Sequence, residues 1–292
     1  MTWRRSKLLS FAAFVLPAVM LILVASGIPL VMNFLYAVTN WNGISKTISC
    51  VGLDNFVELF TDDEGIRQAT LFTMKFAILH VLITNVLAML LAVLLDRGLR
   101  GSNLLRAVFF LPNILSLVVV GFLWKFTFTR VFGALFDYTG WAVFGLSWLG
   151  QPNMAFVSVL LVSVWQAAGY YMVIYTAGLQ TIPRDIEEAA IIDGTSSAQR
   201  FFKVTFPLLM PSVTACMFLS TTNALKVFDV IFTLTGGGPG GTTTSIALDI
   251  YREAFVNNRY GYATAKSLVF FIITLMITGI LVNFLKSREV ES

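Results

Sequence analysis

The chain has 292 residues, of which 57% are hydrophobic and 12% charged, and its mean hydropathy of +0.80 describes a protein whose solvent is mostly lipid, excluding an ordinary soluble domain. The formal charge of +4 is scattered over short loops with no basic stripe, so it reads as membrane topology and not as a nucleic-acid surface. Two cysteines, Cys50 and Cys216, give neither a disulfide framework nor a metal-ligand spacing.

In chain order, Trp3-Arg4-Arg5-Ser6-Lys7 precedes an apolar run over residues 8–36. At about twice the length of a signal-peptide core, this run is expected to remain as an uncleaved span, bent at Pro17 and Pro29. Trp41 marks an interface, and Asn40 to Arg67 form an acidic outer segment with Asp54, Glu58, Asp62, Asp63 and Glu64. The second span, residues 69–95, contains Lys75, His80 and Asn85. Its return, Asp96-Arg97-Gly98-Leu99-Arg100-Gly101, carries the positive charge that favours the cytoplasm. A lone histidine in a span ordinarily makes a helix-to-helix hydrogen bond, so His80 is assigned no site.

The third span, residues 104–128, bears Pro112, with Lys125 and Arg130 snorkelling from its far end. Residues 133–152, with Trp141 and Trp148, read as an outer loop. The fourth span, residues 153–179, holds Trp165, Gln166, Tyr170, Tyr171 and Tyr175, a polar-aromatic density that lipid alone does not ask for. Sugar recognition needs aromatic faces against C–H surfaces and amides or hydroxyls for the hydroxyl groups, which Trp165, Gln166 and Tyr170 supply; helix packing with an aromatic belt is the alternative.

The next stretch, Arg184 to Pro207, is the one long polar segment between two apolar spans. Pro183 suits the start of a helix, and Asp185, Glu187 and Glu188 load its first turns with negative charge. Gly194 supplies a left-handed stop. Thr195, Ser196 and Ser197 offer N-cap oxygens for a second helix expected to run through Val204 and stop before Pro207. The small Ala189 and Ala190 let a partner approach this elbow, and Glu188 offers it a carboxylate. A plain amphipathic connector on the membrane surface is the competing reading.

Glu188-Ala189-Ala190, Gly194, Val204 and Phe206-Pro207 together resemble the EAA loop of ABC importer permeases, with Val204 and Phe206 as conservative departures from its usual isoleucine and leucine. The resemblance implies a cytoplasmic coupling helix, at residues 180–207, docked in a cleft of an ATP-hydrolysing subunit. The coupling residues it assigns are Glu188, Ala189, Ala190, Gly194, Val204 and Pro207.

A fifth span, residues 208–234, is polar in its second half, with Ser220, Thr221, Thr222, Asn223, Lys226 and Asp229. Lys226 and Asp229 are expected to share a helix face as an internal pair, a substrate-facing pair or a proton relay. Thr235 to Thr242 lacks the closing lysine of a nucleotide loop and is expected to be a flexible outer turn. Lys226 to Pro239, KVFDVIFTLTGGGP, followed by Tyr251-Arg252-Glu253-Ala254-Phe255, is similar to the first of the two permeases in carbohydrate importers, the MalF-like branch; Gly52 to Phe56, GLDNF, also recurs there. A last span, residues 263–285, ends at Lys286-Ser287-Arg288.

Six spans with both termini in the cytoplasm follow, an all-α polytopic fold in a single permease domain over residues 1–292. The resemblance implies the type I ABC importer permease fold in a bacterial or archaeal cell membrane. It also implies a second homologous permease, two ATP-binding cassette subunits and an extracytoplasmic solute-binding protein delivering a sugar, oligosaccharide or related polyol. No enzyme activity and no cofactor are expected in this chain; ATP and magnesium belong to the partner ATPase. Candidate pathway residues are Trp165, Gln166, Tyr170, Ser220, Asn223 and Lys226, and no metal site is expected. Two competing classes are an ion-coupled secondary transporter using Lys226 and Asp229, which would be expected to show internal repeat symmetry, and an intramembrane enzyme, for which no constellation exists.

Overall fold

A computed structural model describes residues 2–96 and 101–289, with side chains from Phe11 onward except Ala12. The predicted positive return at Arg97 to Arg100 lies outside the described residues, as do Met1 and Ser292. Among the described residues every regular element is helical, apart from an isolated bridge between Thr39 and Cys50. α1 (Thr2–Ile22) passes through one π-turn into α2 (Ile28–Ala37), and α3 (Asp54–Thr61) precedes the long α4 (Glu64–Asp96). α5 (Ser102–Ile114) is followed by α6 (Leu117–Phe126), which runs through a second π-turn into α7 (Phe132–Thr139); then comes α8 (Pro152–Gln180). The elbow supplies α9 (Arg184–Ile192), α10 (Ser197–Arg200) and α11 (Phe206–Leu208). Finally α12 (Met210–Leu225) and α13 (Asp229–Leu234) lead to α14 (Ile246–Phe255) and α15 (Tyr260–Lys286).

By length and composition, five helices among the described residues can cross a membrane: Ala13–Ala37, Glu64–Asp96, Leu117–Thr139, Pro152–Gln180 and Tyr260–Lys286. A sixth exists if Ser197–Leu208 and Met210–Leu225, bent by 71°, count as one. The bend sits between Pro207 and Pro211, each of which withholds an N–H from the helical ladder.

Several expectations change. The third span does not run unbroken over 104–128: the chain turns extended at Leu115 and Ser116 (ψ 140° and 133°), just after Pro112, and the apolar helix begins at Leu117. It continues to Thr139, so the predicted loop at 133–152 is helical for its first turns. The fifth span is broken at Lys226 to Phe228, where φ reaches −139° at Phe228, so Lys226 closes one helix and Asp229 opens the next. They share no helix face, and no ion pair joins them. In the elbow, the second helix passes Pro207 because a π-turn at Phe201–Thr205 re-registers the ladder ahead of the proline.

The chain divides into two compact units, Met1–Asp63 with Ile250–Phe271 and Glu64–Asp249 with Ile272–Ser292. In the first, the acidic segment finds its counter-charges some two hundred residues away. Lys266 Nζ, with a fully buried side chain, lies 2.6 Å from Asp63 and 3.7 Å from Glu253, and the Tyr262 hydroxyl donates to Asp63 at 2.6 Å. Arg259 donates to both Glu58 carboxylate oxygens at 2.6 Å, and that carboxylate holds the guanidinium above its ordinary range. Asn55 donates to the Ala37 and Thr39 carbonyls, tying α3 to the end of α2.

The second unit is organised on α4 and α8. Ala88 and Ala92 are fully buried in one cluster with Tyr171, Met172 and Tyr175, which also includes Leu209 and Cys216. Small residues at such a seam let helices approach closely where lipid supplies no hydrophobic drive. Gly169 does the same for α5, since a Cβ there would run into the Phe109 carbonyl. The Thr235 to Ser245 loop is internally bonded: Thr235 and Thr243 hydroxyls meet at 2.9 Å, Thr243 donates to the Gly238 carbonyl, and Ser245 donates to the Val227 carbonyl at 2.7 Å. That bonding replaces the expected flexible turn with a pinned one.

Candidate functional site

Both helix breaks open onto one place. A cleft of about 400 Å³ is lined by Phe76 and His80 of α4, Asn113 of α5, Ser163, Gln166, Tyr170 and Tyr171 of α8, and Asn223 and Lys226 to Val230 across the α12–α13 break. A continuous helix would have committed the backbone at Lys226 to Phe228 to its own ladder; the break instead turns those residues toward the cleft. Asn223 donates to the Tyr171 hydroxyl at 3.3 Å. Amides, a phenol and aromatic faces thus converge, a set suited to a polyhydroxylated solute.

Of the predicted pathway residues, Gln166, Tyr170, Asn223 and Lys226 line this cleft. Trp165 does not: it is 39% exposed and packs edge-on against Trp124 at 5.5 Å. Ser220 is fully buried in a different group, where Asn85 donates to its hydroxyl at 2.8 Å and Tyr175 donates to the Asn85 amide oxygen at 2.8 Å. Sequence reading passed over Asn113, Ser163 and His80. Asn113 had a signal, since it follows a span proline. His80 and Ser163 had none, because facing a cavity is a tertiary property.

A second candidate site is the elbow. Gly194 adopts φ +76°, the Gly194 N–H bonds the Ile191 carbonyl, and the Thr195 hydroxyl donates to the Ala190 carbonyl at 2.6 Å. Ser196 caps α10 through a reciprocal pair with Gln199. Ala190 is buried, whereas Glu188 and Ala189 are exposed. Val204 and Pro207 are half-buried on the following segment. Ile191 and Ile192, 54% and 85% exposed, extend the open face of α9, an apolar addition that the sequence motif does not name. Glu187, not Glu188, turns back into a small cleft with Asp96 and Arg200.

The family model described as the binding-protein-dependent transport system inner membrane component matches residues 84–288. The chain belongs to this family. Relatives include the probable starch degradation products transport system permease protein AmyD of Thermoanaerobacterium thermosulfurigenes, 38% identical over 95% of this chain and 94% of that protein. The multiple sugar-binding transport system permease protein MsmF of Streptococcus mutans is 35% identical over 90% of each. Among solved structures, a bacterial ABC transporter involved in import of the acidic polysaccharide alginate superposes with a TM-score of 0.83, covering 97% of this chain and 96% of that one, at 23% identity. The inner membrane component fold is therefore shared, and this all-helical, multi-pass chain is a permease subunit of type I architecture. ATP hydrolysis in such importers falls to a separate subunit, so the permease is not an enzyme.

Proposed function

We propose that the chain forms half of the membrane pathway of an ABC importer for a sugar, oligosaccharide or related polyol, and that the α8/α12–α13 cleft is where the solute passes. The observation that carries this reading is the convergence of Gln166, Tyr170, Asn223 and the Lys226 to Phe228 break on one polar cleft inside helices otherwise clad for lipid. The names of the AmyD and MsmF relatives support the substrate class. A periplasmic binding protein in complex with the alginate transporter supports a solute-binding partner. A second permease and two ATP-binding cassette subunits complete the assembly, with nucleotide and magnesium on the latter. The elbow and both termini face the cytoplasm. Ion coupling through Lys226 and Asp229 is not favoured, because the helix break separates them.

In this reading α9 seats in the ATPase, with Glu188 meeting a cationic group and Ile191 and Ile192 filling its apolar margin. The test is reconstitution with the ATPase subunits, second permease and binding protein, measuring which sugars stimulate ATP turnover. Glu188→Arg is expected to pull down less ATPase and to lose uptake and sugar-stimulated turnover together. Gly194→Val, strained at a left-handed position by about 1–2 kcal/mol, is expected to insert normally and lose the same coupling. Full ATPase recovery and wild-type uptake for Glu188→Arg would remove the elbow from the mechanism.

A further inference from the structure

Two polar atoms in the cleft lack protein partners. His80 and Ser163 are 5% and 7% exposed, both line the cleft, and His80 Nδ1 and Ser163 Oγ make no hydrogen bond. Buried polar atoms are nearly always bonded, and each exception calls for an explanation. The imidazole is held in place, stacking on Phe76 with ring centroids 5.3 Å apart. An imidazole nitrogen takes part in one hydrogen bond, as donor or as acceptor. A serine hydroxyl, by contrast, donates and accepts. An imidazole nitrogen on α4 and a hydroxyl on α8 together complement one alcohol group, which donates to one and accepts from the other.

We propose that His80 and Ser163 together form a hydroxyl-binding subsite, holding one alcohol group of the carbohydrate as it crosses the cleft. This rests on the carbohydrate reading of the cleft, and it makes the single histidine, expected from sequence to be a packing residue, a determinant of solute recognition. The geometry suits a neutral polyol.

The test uses the reconstituted complex with its binding protein and a labelled panel of maltose, trehalose, sucrose, maltotriose and raffinose. The readout is sugar moved per ATP hydrolysed, recorded on complexes whose assembly and basal ATP turnover match wild type. Ser163→Ala and His80→Phe are each expected to lower it about tenfold, the size of a lost buried hydrogen bond. His80→Asn, whose amide oxygen lies near the Nδ1 position, is expected to stay within about twofold of wild type. Wild-type ratios for both Ser163→Ala and His80→Phe would overturn the subsite while leaving the carbohydrate reading intact. A wild-type complex moving none of the panel would overturn that reading and the subsite with it. If His80→Phe fails to assemble, Ser163→Ala decides alone.

Discussion

The second unit contains two buried polar groups of similar composition and opposite character. Asn85, Tyr175 and Ser220 close on one another: Asn85 donates to Ser220 and to the Val81 carbonyl and accepts from Tyr175, so each member has a partner. His80, Ser163, Gln166 and Asn223 surround a cleft, and two of their atoms have none. A polar residue within a span is therefore no guide to function by itself; the guide is unused hydrogen-bonding capacity at the wall of a cleft. The closed group holds α4, α8 and α12 in register, and the open one is what a solute would complete.

Variants can break this contrast from either side. The largest effect is expected at a third polar cluster, an ionic one. Lys266→Met in the first unit strips Asp63 and Glu253 of a buried counter-charge, and about 3–5 kcal/mol of stability should be lost, read as a lower thermal midpoint of the detergent-solubilised protein. Next, Asn85→Leu leaves the Tyr175 and Ser220 hydroxyls without their partner. Because interhelical bonds in lipid average about 0.6 kcal/mol and rarely exceed about 1.7, the loss should be about 1–2 kcal/mol. Tyr175→Phe removes one of those bonds and should cost under about 1 kcal/mol. A midpoint unmoved by Asn85→Leu would mean that the closed group does not hold the helices together.

How much of this was legible beforehand follows from what hydropathy can see. Helices α4, α8 and α15 cover the stretches expected there, since each is one long uninterrupted apolar helix. The breaks at Leu115 to Ser116 and at Lys226 to Phe228 were missed, because a few residues of non-helical backbone barely change an average over a span-length window. Pro112 was the available signal for the first and had been placed inside the third span. The elbow was legible through local chemistry, proline, glycine and a capping serine within a few residues of one another, although the π-turn that carries its second helix past Pro207 was not. Lys266 and Arg259 pair with Asp63 and Glu58 across about two hundred residues, and no local pattern predicts such partners. Four of the six expected pathway residues reached the cleft. Ser220 and Trp165 did not, because facing lipid, core or cavity is decided by helix rotation.

The most direct test sets the two groups of the second unit side by side, with uptake per assembled complex and thermal midpoint recorded for Asn223→Leu, Gln166→Leu and Asn85→Leu. The two cleft variants should lose several-fold in uptake, each forfeiting a hydrogen bond to the solute of about 1–3 kcal/mol, with midpoints near wild type. Asn85→Leu should lower the midpoint and leave uptake per assembled complex largely intact. Normal uptake by both Asn223→Leu and Gln166→Leu would contradict the account and return the cleft to helix packing.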